Sequence, residues 1–201
     1  MRVLGVDPGL SGAVVLYTPS TGEVVARRDF RGVGQVAKAV RELGQKATFA
    51  VVEYVSARPG QGVTSMFNFG LAAGVPIGVL ETIGLDWVDV VPQTWQRWVR
   101  EYVGLDRMAP FSSCEAALVC APERHHDLFK RSKDHNTADA FFLALWGAIH
   151  AWERPKPSGG NCSQTRLPML DDLLVRQMAR ERDLHLLASQ QKTPPDEGGV
   201  E

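Results

Sequence analysis

Short apolar runs bounded by turn residues open the chain. The first run, RVLGV, ends at Asp-Pro-Gly, and the run SGAVVLYT follows almost at once. A Pro-Ser-Thr-Gly turn then leads into GEVVARRDF. Short apolar runs that end in turn residues are typical of buried strands, and tight connections join antiparallel neighbours. The beginning of the chain therefore predicts a three-stranded antiparallel meander.

The spacing of apolar residues then changes to a helical period. Apolar side chains recur every three or four positions over residues 33–43, which predicts an amphipathic helix. The following run, ATFAVVEYV, is apolar and β-branched, and it predicts a strand that ends near Glu53. A strand–helix–strand order indicates that this strand lies parallel to the first ones.

The rest of the apolar pattern predicts mainly helices. Residues 64–74 predict a helix, and PIGVLETIG is its end or its continuation. WVDVVP predicts a strand closed by Pro92, while residues 93–102 and 113–120 predict short helices. The polar, basic stretch HHDLFKRSKDHN is typical of a loop or a frayed helix. Residues 137–152 are almost wholly apolar, so this helix must lie against the sheet. The order of elements predicts an α/β layer fold with one mixed sheet.

Composition changes after Trp152. ERPKPSGGNCSQT has the Pro, Gly and Ser content of a linker. Beyond it, leucines at helical spacing alternate with charges, and the final residues have the composition of a disordered segment. We therefore expect a folded domain over residues 1–152, a linker over 153–166, and a helical or disordered tail over 167–201.

The net charge and the cysteine content exclude several classes of protein and site. The net charge of -1 argues against a polycation that coats nucleic acid, but it leaves room for one basic face. The three cysteines form no CxxC pair, so neither a disulfide framework nor a zinc site is expected. We see no secretory signal, and no stretch approaches the roughly 20 apolar residues that span a bilayer. A reducing, cytoplasmic setting without membrane contact is expected.

Three carboxylates stand where strands end or where the buried helix begins. Asp7 closes the first apolar run, Glu53 ends FAVVE, and Asp139 lies near the start of the last apolar helix. Each has an ordinary explanation as a turn residue, a strand end or a helix cap. Parallel pairing, however, would bring the two strand ends together.

Asp139 belongs to a cluster of metal-binding side-chain types. Asp134, His135 and Asn136 precede it, and spacings of three and four residues place side chains on one helix face. Carboxylates suit Mg²⁺ or Mn²⁺, and imidazole leans toward Mn²⁺. Two such ions, about 3.5–4 Å apart, can hydrolyse a phosphodiester without a side-chain nucleophile. The sequence contains no GxSxG, HExxH or GxxxxGK[ST] motif that would indicate other chemistry.

Together these blocks resemble a known family. GVDPGLSGAVV, then VVE at a strand end, then ADA in the last apolar helix are similar to RuvC-type Holliday-junction resolvases of the ribonuclease H-like superfamily. RPGQGVTSMFNFG and KDHNTADAFFLALWG resemble the bacteriophage branch. The resemblance covers roughly residues 1–150. It implies a ribonuclease H-like fold, with a mixed five-stranded sheet flanked by helices.

The resemblance also implies an activity and a site. It implies a homodimeric crossover junction endodeoxyribonuclease of DNA recombination and repair, cutting four-way or other branched DNA with two Mg²⁺ or Mn²⁺ ions. Asp7, Glu53 and Asp139 match the metal-binding acids of the family. A fourth ligand precedes the last acid by three or four residues. We favour His135 and then Asp134, with Asn136 left open.

Contacts to DNA are expected from basic and polar residues near this site. The candidates are Arg58, Gln61, Arg107, Lys130, Arg131 and Lys133. Phe67 and Phe69 fall where the family contacts the junction, although aromatic residues there are expected more often in the core. Many relatives carry a lysine that LDRMAPFSSCEAA lacks, and Arg107 or Lys133 is a candidate substitute.

Two other functions remain open from sequence. One is a ribonuclease H-like nuclease acting on flaps or RNA–DNA hybrids, which would use the same fold and ions. The other is a catalytically silent junction-binding scaffold, which the missing lysine leaves open. An actin-like ATP-binding protein would need a second phosphate-binding block and a much longer chain.

Overall fold

A mixed sheet of five strands forms the centre of the computed structural model, which describes residues 1–56, 60, 62–106 and 108–150. The strands are β1 (Val3–Asp7), β2 (Ser11–Thr18), β3 (Glu23–Arg31), β4 (Phe49–Glu53) and β5 (Trp87–Val90). Their order is β3-β2-β1-β4-β5. The first three strands pair antiparallel, whereas β4 is parallel to both β1 and β5. The predicted meander, the parallel fourth strand and the mixed sheet are confirmed.

Helices cover both faces of this sheet. They are α1 (Val33–Gly44), α2 (Val63–Ile83), α3 (Pro92–Val103), α4 (Ser113–Cys120) and α5 (His135–His150). Because side chains alternate along a strand, Leu4 and Val6 face α1, while Val3 and Gly5 face α5. The core facing α1 also takes Leu80 from α2. The sheet is therefore buried on both sides, as expected for an α/β layer fold.

Two glycines let α5 lie directly on the sheet. A methyl group on Gly5 would overlap the carbonyl oxygen of Ala140, and one on Gly147 would overlap the Val51 side chain. At Gly5 only a hydrogen atom fits between the two backbones, so the helix and β1 approach as closely as their main chains allow. This contact fixes where the first turns of α5 lie relative to the end of β1.

Several predicted boundaries change in the structure. Of the two predicted alternatives for PIGVLETIG, the structure shows the continuation, and α2 runs through Pro76 without ending. HHDLFKRSKDHN folds into two short 3₁₀ turns, Glu123–Leu128 and Ser132–Asp134, and the first two residues of α5. The last helix begins at position 135 rather than 137, since the second 3₁₀ turn leads straight into it. The predicted linker and tail lie outside the described residues.

α2 is more apolar and more exposed than the sequence analysis expected. It has 21 residues and a mean hydropathy of 1.6, so it is long and apolar enough to cross a membrane. The prediction that no stretch has this length is wrong. One such helix is weak support for a membrane span, since core helices pass the same test. Here, however, only 17% of the apolar window is buried. Phe67 is 70% exposed, so its assignment to the core is also wrong.

Candidate metal centre

Asp7 and Glu53 lie at neighbouring strand ends. They follow Val6 and Val52, which are register partners in the parallel pair of β1 and β4. Val51 faces α5, and the alternation of side chains turns Glu53, two residues later, to the same side. Asp7 is turned to this side in the same way. Both acids therefore stand at one edge of the sheet, on the face that α5 covers.

Asp139 approaches this edge from the second turn of α5. Burial raises the pKa of Asp7 well above its usual range, and the charges of Asp139 and Glu53 raise it further. Burial also raises the pKa of Asp139, against a hydrogen bond from Ser113 and the nearby His135, which lower it. Asp7 thus lies within electrostatic reach of both other acids. The structure places the three carboxylates predicted from sequence around one edge of the sheet.

This arrangement concentrates negative charge in a place that water solvates poorly. Such a site is costly unless the carboxylates take up protons or a cation offsets their charge. Within the described parts of the chain, no three His, Cys, Asp or Glu side chains are close enough to hold a metal ion as they stand. Instead, Asp7 interacts electrostatically with Asp139 and, separately, with Glu53. Their oxygen donors nevertheless suit Mg²⁺ or Mn²⁺.

His135 occupies the first position of α5. Its Nδ1 lies 3.0 Å from the carbonyl oxygen of Ser132. A carbonyl only accepts, so Nδ1 carries the ring proton and Nε2 keeps its lone pair in the neutral ring. Metal-binding histidines are commonly held in this way by their second nitrogen. The side chain is exposed on the same helix end as Asp139, which fits a ligand role.

Asp134, the second choice for that role, is held elsewhere. Its side chain is buried, and both carboxylate oxygens accept hydrogen bonds from the Arg131 guanidinium at 2.8 and 3.0 Å. Oδ2 also accepts from the backbone N–H of Arg131. These bonds hold the pKa of Asp134 below its usual value. The contacts favour a structural role for Asp134, which secures the turn before α5.

A second set of contacts ties the start of α5 to β3. The buried Thr137 hydroxyl donates to Asp29 Oδ1 at 2.8 Å. Arg27 donates to both partners, at 2.8 Å to Asp29 and 3.1 Å to Thr137. The helix turn that carries His135 and Asp139 is therefore anchored on the edge strand of the sheet. The sequence analysis did not anticipate this network, because Thr137 lies 108 positions from Asp29 and 110 positions from Arg27.

The sequence analysis also missed Trp95. This residue of α3 is fully buried, and its indole Nε1 donates to Glu53 Oε1 at 2.9 Å. Its ring stacks on Phe142 of α5 and meets Phe111 edge-on. A buried tryptophan usually finds a partner for its N–H. The available signal was a tryptophan at the start of the helix that follows β5, the strand beside β4.

The structure describes only some of the residues that were predicted to bind DNA. Lys130 forms an ion pair with Asp127, and the guanidinium of Arg131 is bound to Asp134. Lys133 is exposed and makes no ion pair within the described residues, so it is a candidate phosphate contact beside the acids. Three further candidates, Arg58, Gln61 and Arg107, lie outside the described residues.

Comparisons with known proteins give similarities of fold. No family model matches the chain, and no curated protein matches it. Among solved structures, Thermus thermophilus RuvC bound to a Holliday junction substrate is 17% identical, with a TM-score of 0.49 over 74% of this chain and 93% of that one.

Two further structures are similar in the same way. A second structure of Thermus thermophilus RuvC is 18% identical, with a TM-score of 0.47 over 74% of this chain and 93% of that one. The yeast mitochondrial Holliday junction resolvase Ydc2 is 12% identical, with a TM-score of 0.44 over 73% and 79%. The strand order and directions described above confirm the predicted α/β fold with a mixed five-stranded sheet flanked by helices.

Proposed function

We propose that this chain is a metal-dependent endonuclease that resolves four-way (Holliday) or other branched DNA junctions. One observation carries the proposal: three acids far apart in sequence lie around one sheet edge, where Asp139 and Glu53 both act electrostatically on Asp7. Gathering like charges in a poorly solvated place is typical of cation sites and catalytic centres. The resemblance of the three sequence blocks to junction resolvases supplies the substrate class.

The ligand set follows from the donors at this edge. Asp7, Glu53, Asp139 and His135 hold two Mg²⁺ or Mn²⁺ ions in this proposal. When bound, the ions supply an activated water and stabilise the leaving oxygen of a phosphodiester. The chain supplies the orientation of the donors. β1 and β4 present two of them side by side, and the anchored start of α5 presents the others.

The finer assignment rests on the sequence alone. RPGQGVTSMFNFG and KDHNTADAFFLALWG resemble the bacteriophage branch, so we place the protein in the cytoplasm of a bacterial or phage-infected cell. There it would act in DNA recombination and repair. A ribonuclease H-like nuclease acting on flaps or RNA–DNA hybrids would use the same four donors, and only its substrate would differ.

A substrate panel separates these functions. Purified protein is incubated with Mg²⁺ or Mn²⁺ and labelled four-way junction, flap, RNA–DNA hybrid and linear duplex at equal concentrations. We expect cutting of the junction in preference to the duplex. Equal cutting of all substrates would leave a general nuclease, and preference for the flap or hybrid would assign that class instead. Junction binding without cutting in either metal would make the protein a scaffold.

His135 is tested against its neighbour Asn136. We expect His135→Ala to lower Mn²⁺-dependent cutting about tenfold or more, because it removes a nitrogen donor whose orientation Ser132 fixes. Asn136→Ala should have a much smaller effect. Titration of Mn²⁺ against the initial cutting rate measures both variants. A larger effect of Asn136→Ala than of His135→Ala would assign the role of fourth ligand to Asn136 instead.

We also propose a homodimer that forms through α2. Val63, Phe67 and Leu71 recur every four residues and are all exposed, so they form one apolar stripe. Beside it, a methyl group on Gly70 or Gly74 would meet nothing within 4 Å. α2 carries no basic residue, which argues against DNA as the molecule that covers it. A second copy fits, since paired nicks need two sites and a two-fold interface joins identical surfaces.

Phe67→Asp tests this interface. The substitution places a charge in the centre of the apolar stripe, so we expect the dimer to dissociate into monomers. Light scattering after size-exclusion chromatography gives the mass, and Val119→Asp, at an exposed apolar position of α4, is the matched control. A wild-type monomer, or a Phe67→Asp dimer, would exclude α2 as the interface. Binding of the wild type to lipid vesicles would assign α2 to a membrane instead.

A further inference from the structure

The bond between Trp95 and Glu53 joins a candidate ligand to the core. The indole N–H approaches Glu53 Oε1 at 2.9 Å, and the Trp95 side chain has no exposed surface. A hydrogen bond to a charged acceptor is stronger than one between neutral groups, and it costs more to break when the donor is buried. The orientation of the Glu53 carboxylate is therefore set by a buried donor that has no access to water as an alternative partner.

The ring that carries this donor is itself fixed. Its centroid lies 6.3 Å from that of Phe142 with an angle of 17° between the planes, and 6.2 Å from that of Phe111 at 66°. Phe142 lies one turn after Asp139 on α5. One indole thus touches the helix that carries one acid and binds the acid of another element. It links the geometry of β4 to that of α5.

A second pair in the same chain shows the same bond away from the site. Trp87 Nε1 donates to Glu81 Oε1 at 2.7 Å, but this pair is near the surface, between β5 and the end of α2. The two bonds have the same chemistry and differ in burial and in place. They form a matched pair for experiment.

We propose that Trp95 is a positioning residue of the metal centre. Its N–H holds Oε1 of Glu53 and so sets the angle at which this carboxylate meets a divalent cation. This inference rests on the proposed function, because it assigns Trp95 to the same site. Loss of the N–H removes the hydrogen bond that fixes Oε1 of Glu53 against the buried indole. Cation binding should then weaken, while contacts of the protein with DNA stay unchanged.

The test compares Trp95→Phe with Trp87→Phe in the full chain. Phenylalanine keeps an aromatic ring and removes only the donor and part of the ring area. We expect the Mn²⁺ dissociation constant of Trp95→Phe, measured by isothermal titration calorimetry, to rise about 10- to 100-fold. The Mn²⁺ concentration for half-maximal cutting should rise with it, and cutting should recover at high Mn²⁺. Junction affinity without metal, and all values for Trp87→Phe, should equal those of the wild type.

The outcomes separate this inference from the function it rests on. If the wild type binds no Mn²⁺, the metal centre itself fails. If the wild type binds Mn²⁺ and Trp95→Phe binds it equally well, the positioning role is overturned. A variant that does not fold is replaced by the wild type labelled with ¹⁵N. There, Mg²⁺ should shift the indole N–H resonance of Trp95 and leave that of Trp87 in place, and no shift at Trp95 would overturn the role.

Discussion

Asp7→Asn is expected to abolish metal-dependent cutting of a four-way junction while leaving junction binding intact. Asparagine keeps the shape of the side chain and removes the charge that holds a cation in the proposed site. Loss of about 4 kcal/mol of transition-state stabilisation corresponds to on the order of 10³-fold in rate. Single-turnover cutting and gel-shift binding measure the two effects. The control is Glu101→Gln, which removes one charge from an exposed position of α3.

The same substitution should make the metal-free protein more stable. The pKa of Asp7 is raised in the folded chain, so its contribution to stability is full below its ordinary pKa and falls as pH rises through the raised value. At neutral pH the ionised group therefore opposes folding, and asparagine imitates its protonated form. We expect a higher melting temperature for Asp7→Asn without metal. Mn²⁺ should raise the melting temperature of the wild type more than that of the variant.

An unchanged or lower melting temperature for the metal-free variant would contradict the electrostatic description of the site. Cutting by Asp7→Asn within a few fold of the wild type would remove Asp7 from the catalytic set. These two results are independent, since the first concerns the repulsion among the acids and the second their use. An Asp7→Asn variant that is more stable without metal, binds the junction and does not cut it would agree with both expectations.

Gly5→Ala is expected to have the largest effect on folding. A methyl group there would overlap the Ala140 carbonyl and would lie 2.7 Å from the backbone nitrogen of Ala144. Backbone atoms of a buried helix cannot move out of the way as a side chain can by changing its rotamer. The whole of α5 must therefore shift away from β1. We expect a loss of about 3 kcal/mol in the free energy of unfolding, at the upper end for overpacked cores. Urea denaturation followed by circular dichroism measures it.

Gly34→Ala is the control for this prediction, because a methyl group on Gly34 meets nothing within 4 Å and alanine favours the helix. Gly5→Ala should also lower cutting by more than its folded fraction explains, since the shift moves Asp139 relative to Asp7. A variant as stable as the wild type would show that α5 does not depend on this close contact.

Most of the fold could be predicted because the pattern of apolar residues is local. Each strand is a short apolar run with turn residues at its ends, and the start of the chain needs no distant information to form a meander. α2 was harder, because the sequence left open whether PIGVLETIG ends the helix or continues it. The exposure of Phe67 could not be predicted, since a helix that is apolar all round does not show which side faces the core.

The site could be predicted in part. Asp7, Glu53 and Asp139 could be chosen as candidates because acids at strand ends and at the start of an apolar helix are unusual together. The role of Asp134 depends on Arg131 adopting a turn that the sequence does not specify. Trp95 reaches Glu53 across 42 positions. Contacts of this kind arise only when helices pack, which no local pattern describes.

Mapping the cuts on a single synthetic four-way junction tests the central claim most directly. Each of the four strands is labelled in turn, and the protein is added with Mn²⁺ under single-turnover conditions. The proposed resolvase should nick two opposite strands at symmetric positions and release two nicked duplexes. Cuts confined to one strand, or scattered equally along all four arms, would contradict it.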